Sequence, residues 1–452
     1  MKNDEGITAR FVAMKVLNHF DVNKGYASDI LNRYLGLTEQ KQRATDLVFG
    51  TIRNQFAIDM IIKTFTGRPV KAIAEKLLTI IRIATYELIY RPNTASHAIV
   101  NEAVENIKTI AGDKQIGFVN AALRQITRGI ENRDVEIEHA DVKKVLPVWI
   151  KRGCLFNKEI LPSPEKFPDS YLSDVFSLPL WLTKNWIENF GYEQSLKICL
   201  ASNRNPSVYL RVNTQNTTQK KFEDMLTEAE VIHEAINENI IKLKSSKAVF
   251  ELPGFSKGLF SVQDVTASKP AKALGAKADE KILDLCSAPG GKTTQLAELT
   301  SDKALIIATD IDSDRLRSVL ENAERLKLKS IIVTEYGDVK KYAPFDRILA
   351  DVPCSNTGVL SKRPEARHRL QKDTSVKTAQ TQKQILEKAL ELIRPEGTIC
   401  YSTCSIAPEE NSLLIKDFIA QHQHIKVIQE ELTLPSPTMP DCDGGYFAVL
   451  KC

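Results

Sequence analysis

From Lys281 onward the chain alternates short apolar runs with amphipathic stretches, and this alternation restricts the fold more than any other feature. The runs at 282–286, 304–309, 330–334, 347–350 and 398–401 have the length and β-branched character of buried strands, and helical spacing of apolar residues fills 293–299, 314–326 and 374–393. Strands joined by helices of this length must run parallel, which predicts a doubly wound, mainly parallel sheet with helices on both faces. In such sheets ligands lodge beyond the carboxyl ends of the strands. The residues that follow each run are therefore the ones to inspect.

The remainder of the 452 residues is too long to share that core. Residues 1–130 show apolar positions at three- and four-residue spacing, as in Leu77, Ile80, Ile81, Ala84 and Leu88, and predict an all-α bundle. Pro69 and Pro92 mark turns, and 93–96 offers N-cap residues for a helix over 97–110. The charged, proline-bearing stretch 131–170 reads as a linker with one or two short helices. A helix after Leu178 and a strand-helix-strand-strand pattern within 171–265 predict a small α+β module, which often touches RNA but decides nothing alone. The α/β domain then spans 266–452.

The polar segment 1–6 does not have the form of a signal sequence, and no apolar run reaches bilayer length, so a cytoplasmic protein without a membrane partner is expected. The eight cysteines form no disulfide framework, as suits a reducing compartment. Cys400 and Cys404 are spaced like half a zinc site but have no second close pair, so no metal is expected. Residues 1–130 hold 18 Lys or Arg against 12 Asp or Glu, a balance compatible with a phosphate-facing surface.

After the first strand comes Asp284-Leu285-Cys286-Ser287-Ala288-Pro289-Gly290-Gly291-Lys292-Thr293. A Walker loop needs glycine at 286, where this chain has cysteine, so a nucleoside triphosphate is disfavoured. A glycine turn still lets backbone approach an adenosine-bearing ligand. Asp310 after the second strand is placed to accept ribose hydroxyls, Asp338 after the third the adenine amino group, and Asp351 ends the fourth. This recurrence, without a pyrophosphate-binding extension, suits S-adenosylmethionine. Each aspartate alone could merely cap the next helix. Two cysteine motifs complete the set, Asp351-Val352-Pro353-Cys354 and Ser402-Thr403-Cys404-Ser405. Carbon 5 of cytosine accepts a methyl group only after a thiolate has added to carbon 6, and a second proton-transfer group must assist release. A pair of cysteines fits that need, although spacing does not say which one attacks.

These segments, with Ser355-Asn356-Thr357-Gly358 and Pro408-Glu409-Glu410-Asn411, resemble the Nop/Sun family of RNA 5-methylcytosine methyltransferases over the whole C-terminal domain. The N-terminal third, including 118–124, looks like the NusB-type helical RNA-binding domain. The resemblance implies a Rossmann-like catalytic domain, S-adenosylmethionine held by Cys286, Ser287, Ala288, Pro289, Gly290, Gly291, Lys292, Asp310, Asp338 and Asp351, Cys404 as nucleophile and Cys354 as the residue that assists release. It implies Asp351 as a group that stabilises the protonated ring. The implied partner is 16S ribosomal RNA, naked or in a partly assembled small subunit, acted on by a monomer without a stable protein partner. Transfer RNA is the rival substrate, and an inert RNA-binding assembly or antitermination factor the rival function. Ser287 replaces the family's usual alanine, and Arg363-Pro364-Glu365-Ala366-Arg367-His368 departs from its usual motif. Lys362, Arg363, Arg367, His368, Arg369 and Lys372 read as a basic loop that grips RNA phosphates.

Overall fold

The structure is a computed structural model that describes residues 7–108, 112–244 and 247–452. The polar segment 1–6 and the end of the 97–110 stretch lie outside the described residues. The chain divides into two compact units, Met1–Arg204 with Leu360–Leu370, and Asn205–Val359 with Gln371–Cys452. No helix among the described residues is long and apolar enough to cross a membrane.

The first unit is built around the helix Glu75–Tyr90, whose residues from Leu77 to Tyr90 are buried apart from Arg82. A helix apolar on nearly all sides must be enclosed, and Ala9–His19, Lys41–Arg53, Gln55–Thr66, Ser96–Lys108 and Asp113–Gly129 accompany it. The one acid on this helix that is fully enclosed, Glu87, accepts from Arg10 Nη2 at 3.0 Å and Arg43 Nη2 at 2.9 Å, which compensates its desolvation. The all-α reading of this region holds. The linker reading of 131–170 does not, because β1 (Ile130–Glu136), β2 (Val145–Pro147) and β3 (Arg152–Phe156) form an antiparallel sheet in the order β1-β3-β2. Its strands are short, charged and irregular in register, so they lack a clean period of two. Cys154 and Phe156 are nevertheless fully buried, and Phe156 stacks on Phe65 at 5.6 Å. The helices Pro168–Phe176, Leu180–Phe190 and Tyr192–Asn203 fall in this unit, where the sequence suggests a single helix.

The second unit opens with β4 (Val208–Val212), β5 (His233–Asn237), β6 (Ile240–Leu243) and β7 (Phe260–Val262), an antiparallel sheet in the order β5-β6-β4-β7. The helix Gln219–Glu228, capped by the Thr218 hydroxyl, buries Phe222 and Leu226 against it. The larger sheet contains β8 (Lys281–Asp284), β9 (Leu305–Ala308), β10 (Ile331–Val333), β11 (Phe345–Asp351), β12 (Ile393–Thr403), β13 (Lys426–Thr433) and β14 (Gly445–Lys451). Its order is β10-β9-β8-β11-β12-β14-β13, parallel through β12, with β14 antiparallel to both neighbours. The chain winds one way from β8 to β10 and the other way from β11, so the switch point lies between β8 and β11. The five sequence-predicted strands and their helices are all present. The antiparallel edge is not foreshadowed in the sequence, since β13 carries Gln429, Glu430 and Glu431 in succession.

Arg211 on β4 ties the two sheets of this unit together. Its guanidinium, 3% exposed, pairs with Glu298 at 2.9 Å and donates to Gly291 O at 2.9 Å, at the first turn of the helix Gly291–Leu299. The local strand sequence thus fixes the helix that begins the candidate site.

Candidate active site

The glycine turn leaves β8 at Asp284 and enters its helix at Gly291. Gly290 has φ +100°, and a Cβ there would lie 3.1 Å from Val319 Cα, so the turn needs glycine on both conformational and steric grounds. Ser287 N donates to Thr309 O at 2.9 Å, which joins the turn to the end of β9. Arg315 Nη2 donates to Ala288 O at 3.1 Å and Asn322 Nδ2 to Pro289 O at 3.0 Å. Sequence reasoning singles out neither residue, because a side chain that fixes a neighbouring loop carries no motif of its own.

Several polar atoms here are buried without a protein partner: Asp284 Oδ1, Ser287 Oγ and Thr309 Oγ1. Buried polar atoms ordinarily find partners, so a polar ligand at the ends of β8 and β9 suits them. Asp310 accepts from Ala288 N at 3.1 Å and from Asp312 N at 3.1 Å, which orients its carboxylate. Asp338 opens the short turn Tyr336–Tyr342 and faces Lys341 at 2.8 Å, half-exposed. Cys286 sits in the turn itself, and burial, then the carboxylates of Asp284, Asp310 and Asp351, push its thiol far up, so it is not a reactive thiolate. These donors and acceptors fit S-adenosylmethionine.

Asp284 accepts from Thr293 Oγ1 at 2.7 Å, and burial raises its pKa to about 7 despite that bond and the Lys292 cation. The folded state therefore keeps a proton that the unfolded chain loses near pH 4, so stability falls as pH rises from about 4 to 7. Asp284→Asn removes that dependence. Denaturant unfolding at pH 5 and pH 8 is expected to show the variant gaining about 1–3 kcal/mol on the native chain between the two.

Parallel pairing of β11 and β12 sets Asp351 opposite Ser402, and the two cysteine loops leave the sheet side by side. Cys354 and Cys404, 50 residues apart in sequence, have their sulfurs 3.0 Å apart. The Cys404 thiol donates to Asn356 Oδ1 at 3.3 Å, and Asn356 Nδ2 donates to Cys354 O at 3.0 Å. Gly358 N donates to Cys404 O at 3.0 Å, so tightly that a Cβ on Gly358 would meet that oxygen at 2.7 Å. Lys292 Nζ lies 2.5 Å from Asp351 Oδ2, while Ser402 Oγ donates to Asp351 Oδ1 at 2.7 Å. Burial alone would lower the Lys292 pKa, but Asp351 and Cys404 outweigh it and hold the ammonium charged. A cavity of about 50 Å³ beside Cys404 is bounded by Lys292, Asp351, Val359 and Phe447.

The hydrogen bond to Cys404, then burial and the nearby Glu410 charge, push the Cys354 thiol well above its usual range. These surroundings disfavour a thiolate at Cys354. Cys400, by contrast, is fully buried in the core with its sulfur 3.5 Å from Pro270 O.

The basic-loop reading of 362–372 is corrected by the structure. Arg367 is fully buried in the helical unit, where its guanidinium donates to Arg53 O at 2.6 Å, Phe176 O at 2.9 Å, Ser202 O at 2.9 Å and Asn203 Oδ1 at 2.8 Å. His368 Nε2 is bonded to Ile52 O at 2.9 Å, and burial lowers its pKa to about 4. Arg369 donates to Val22 O and Gly25 O, and Arg363 lies over the Tyr26 ring at 4.5 Å. These side chains satisfy carbonyls and a ring of their own unit, which a charge count in sequence does not reveal. Arg363 and Lys372 are exposed, and of the set only Lys372 lies outside that unit.

Three family models match the chain: the NusB family over residues 7–128, an RsmF/B-like ferredoxin-like domain over 178–249, and 16S rRNA methyltransferase RsmB/F over 271–441. The probable ribosomal RNA small subunit methyltransferase B of Bacillus subtilis (strain 168) is 30% identical across 98% of this chain and 95% of its own length. The ribosomal RNA small subunit methyltransferase B of Yersinia pestis bv. Antiqua (strain Angola) is 31% identical across 99% of both. The crystal structure of PH0851 shares the fold at TM-score 0.76 and 22% identity over 99% of both chains. NSun6 from Pyrococcus horikoshii with SFG matches at TM-score 0.55 and 22% identity over 60% of this chain and 98% of its own. The cofactor is S-adenosylmethionine. With the NusB-like bundle, the ferredoxin-like module and the two-cysteine sheet in one polypeptide, the chain belongs to the RsmB/Sun-type family of methyltransferases.

Proposed function

We propose that this protein methylates carbon 5 of a specific cytosine in 16S ribosomal RNA through a covalent cysteine–cytosine adduct. The observation that carries this reading is the pair of thiols 3.0 Å apart beside Asp351, at the ends of the adjacent strands β11 and β12. When bound, S-adenosylmethionine supplies the methyl group. Cys286 to Lys292, Asp310 and Asp338 hold it, with the unpartnered oxygens of Asp284, Ser287 and Thr309 as further polar partners. Asp351, steadied by Lys292 and Ser402, orients the base and stabilises a proton on ring nitrogen 3. The Cys404 thiolate adds to carbon 6, which makes carbon 5 nucleophilic. Cys354 then assists loss of the carbon 5 proton, so that Cys404 leaves by elimination. The base must be single-stranded or flipped out, since a thiolate cannot reach carbon 6 inside a stack.

The names of the relatives support a ribosomal RNA substrate. The test is nucleoside mass spectrometry after incubation of 16S ribosomal RNA, small subunits or transfer RNA with the purified protein and S-adenosylmethionine. One 5-methylcytidine per molecule is expected in the ribosomal RNA. A methyl group on another atom, or on transfer RNA alone, overturns the reading.

A further inference from the structure

We propose that Glu410 is a positioning residue for the two-thiol chemistry: its carboxylate fastens the Cys354 loop to the Cys404 loop from behind the sulfurs. The inference rests on the two-cysteine reading above and adds a residue to which that reading gives no role.

Ser355 and Ser405 each follow one of the two cysteines. Glu410 Oε1 accepts from Ser355 N at 2.8 Å, and Oε2 accepts from both the Ser355 and the Ser405 hydroxyls. Gln382 Nε2 donates to Oε1 at 3.2 Å and also to Pro353 O at 2.9 Å, which brings the residue before Cys354 into the same network. Thr357 Oγ1 lies 2.9 Å from Ser405 Oγ and accepts from Ile406 N at 3.0 Å, adding a second crossing between the loops. Asn411, the next residue, receives the Thr403 hydroxyl at 2.7 Å and donates to Ser405 O at 2.9 Å.

Glu410 is fully buried and these bonds come from neutral donors. A carboxylate placed so is expensive to desolvate, and an apolar residue would fill the space with less penalty. What the carboxylate supplies is acceptor capacity toward two loops at once. An amide in its place has one acceptor oxygen and turns an NH₂ toward donors. Apart from the sulfur pair itself, the loops are also joined by the Cys404 thiol on Asn356, the Gly358 N–Cys404 O bond and the Thr357 hydroxyl contacts, and Glu410 is the one side chain here that binds the residue after each cysteine.

The experiment compares Glu410→Gln with the native chain, Cys354→Ala and Cys404→Ala on 16S ribosomal RNA. It measures kcat, the affinity for S-adenosylmethionine by calorimetry, thermal unfolding, and the rate at which diamide joins Cys354 to Cys404. Glu410→Gln is expected to lower kcat on the order of 100-fold with cofactor affinity changed less than about threefold, and to slow the disulfide closure at least about tenfold. Native kcat with native closure, or cofactor affinity falling in step with kcat, overturns the proposal. Should Glu410→Gln not fold, Ser355→Ala and Ser405→Ala each remove one donor without removing the bridge. Each is then expected to lower kcat about three- to tenfold and slow closure, and no change in either measure overturns the proposal. Activity retained by Cys404→Ala refutes the functional reading instead, while the diamide rates, which need no RNA, still report the bridge.

Discussion

Cys404→Ala is expected to abolish methyl transfer, by on the order of 10⁴-fold or more, and with it any RNA adduct that survives denaturation. Cys354→Ala is expected to behave differently. It leaves the attacking sulfur in place, so adduct accumulates while turnover falls by about 10²–10⁴, the usual worth of a proton-transfer group. A denaturing gel with radiolabelled 16S ribosomal RNA and S-adenosylmethionine reads both effects at once. The expected asymmetry rests on the proposed roles, with Asn356 and Gly358 holding Cys404 by its thiol and its carbonyl. Adduct with Cys404→Ala and none with Cys354→Ala exchanges the two roles.

Arg367→Ala is expected to destabilise the helical unit by about 3–5 kcal/mol, because several buried oxygens lose one charged donor at once. The carbonyls of Arg53, Phe176 and Ser202 lose their shared donor together, and a cavity replaces the side chain that satisfied them. Arg367→Lys is expected to recover less than half of the loss, because an ammonium cannot reproduce the planar fork. Denaturant unfolding monitored by helix content measures both. A loss below about 1 kcal/mol for the alanine variant contradicts a structural role for the guanidinium.

Local patterns read well where burial is uniform. The strands β8, β9, β11 and β12 lie in the middle of the sheet, so their apolar runs stand out and direct attention to the residues that follow them. The closeness of Cys354 and Cys404 is legible only as a shared chemistry, since a separation of 50 residues is closed by parallel pairing that no local pattern encodes. The sheet β1-β3-β2 escapes a reading by pattern because its strands are short and their charged residues, such as Glu131, Arg133 and Asp134, hide any alternation. Arg367 misleads for a different reason. Its sequence shows a cation among cations, whereas its role is set by carbonyls contributed from Arg53, Phe176 and Ser202, far away in the chain.

The path of the chain through Leu360–Leu370 carries a consequence for inheritance. Residues that complete the helical unit are encoded within the gene segment for the methyltransferase unit. A hybrid gene joined at codon 204 therefore pairs Arg53, Phe176 and Ser202 from one parent with a position-367 side chain from the other. Such a hybrid folds well only if both parents place a guanidinium there, or if codons 360–370 travel with the first segment. Recombination between relatives of this protein is accordingly expected to leave a footprint of two linked, non-adjacent blocks.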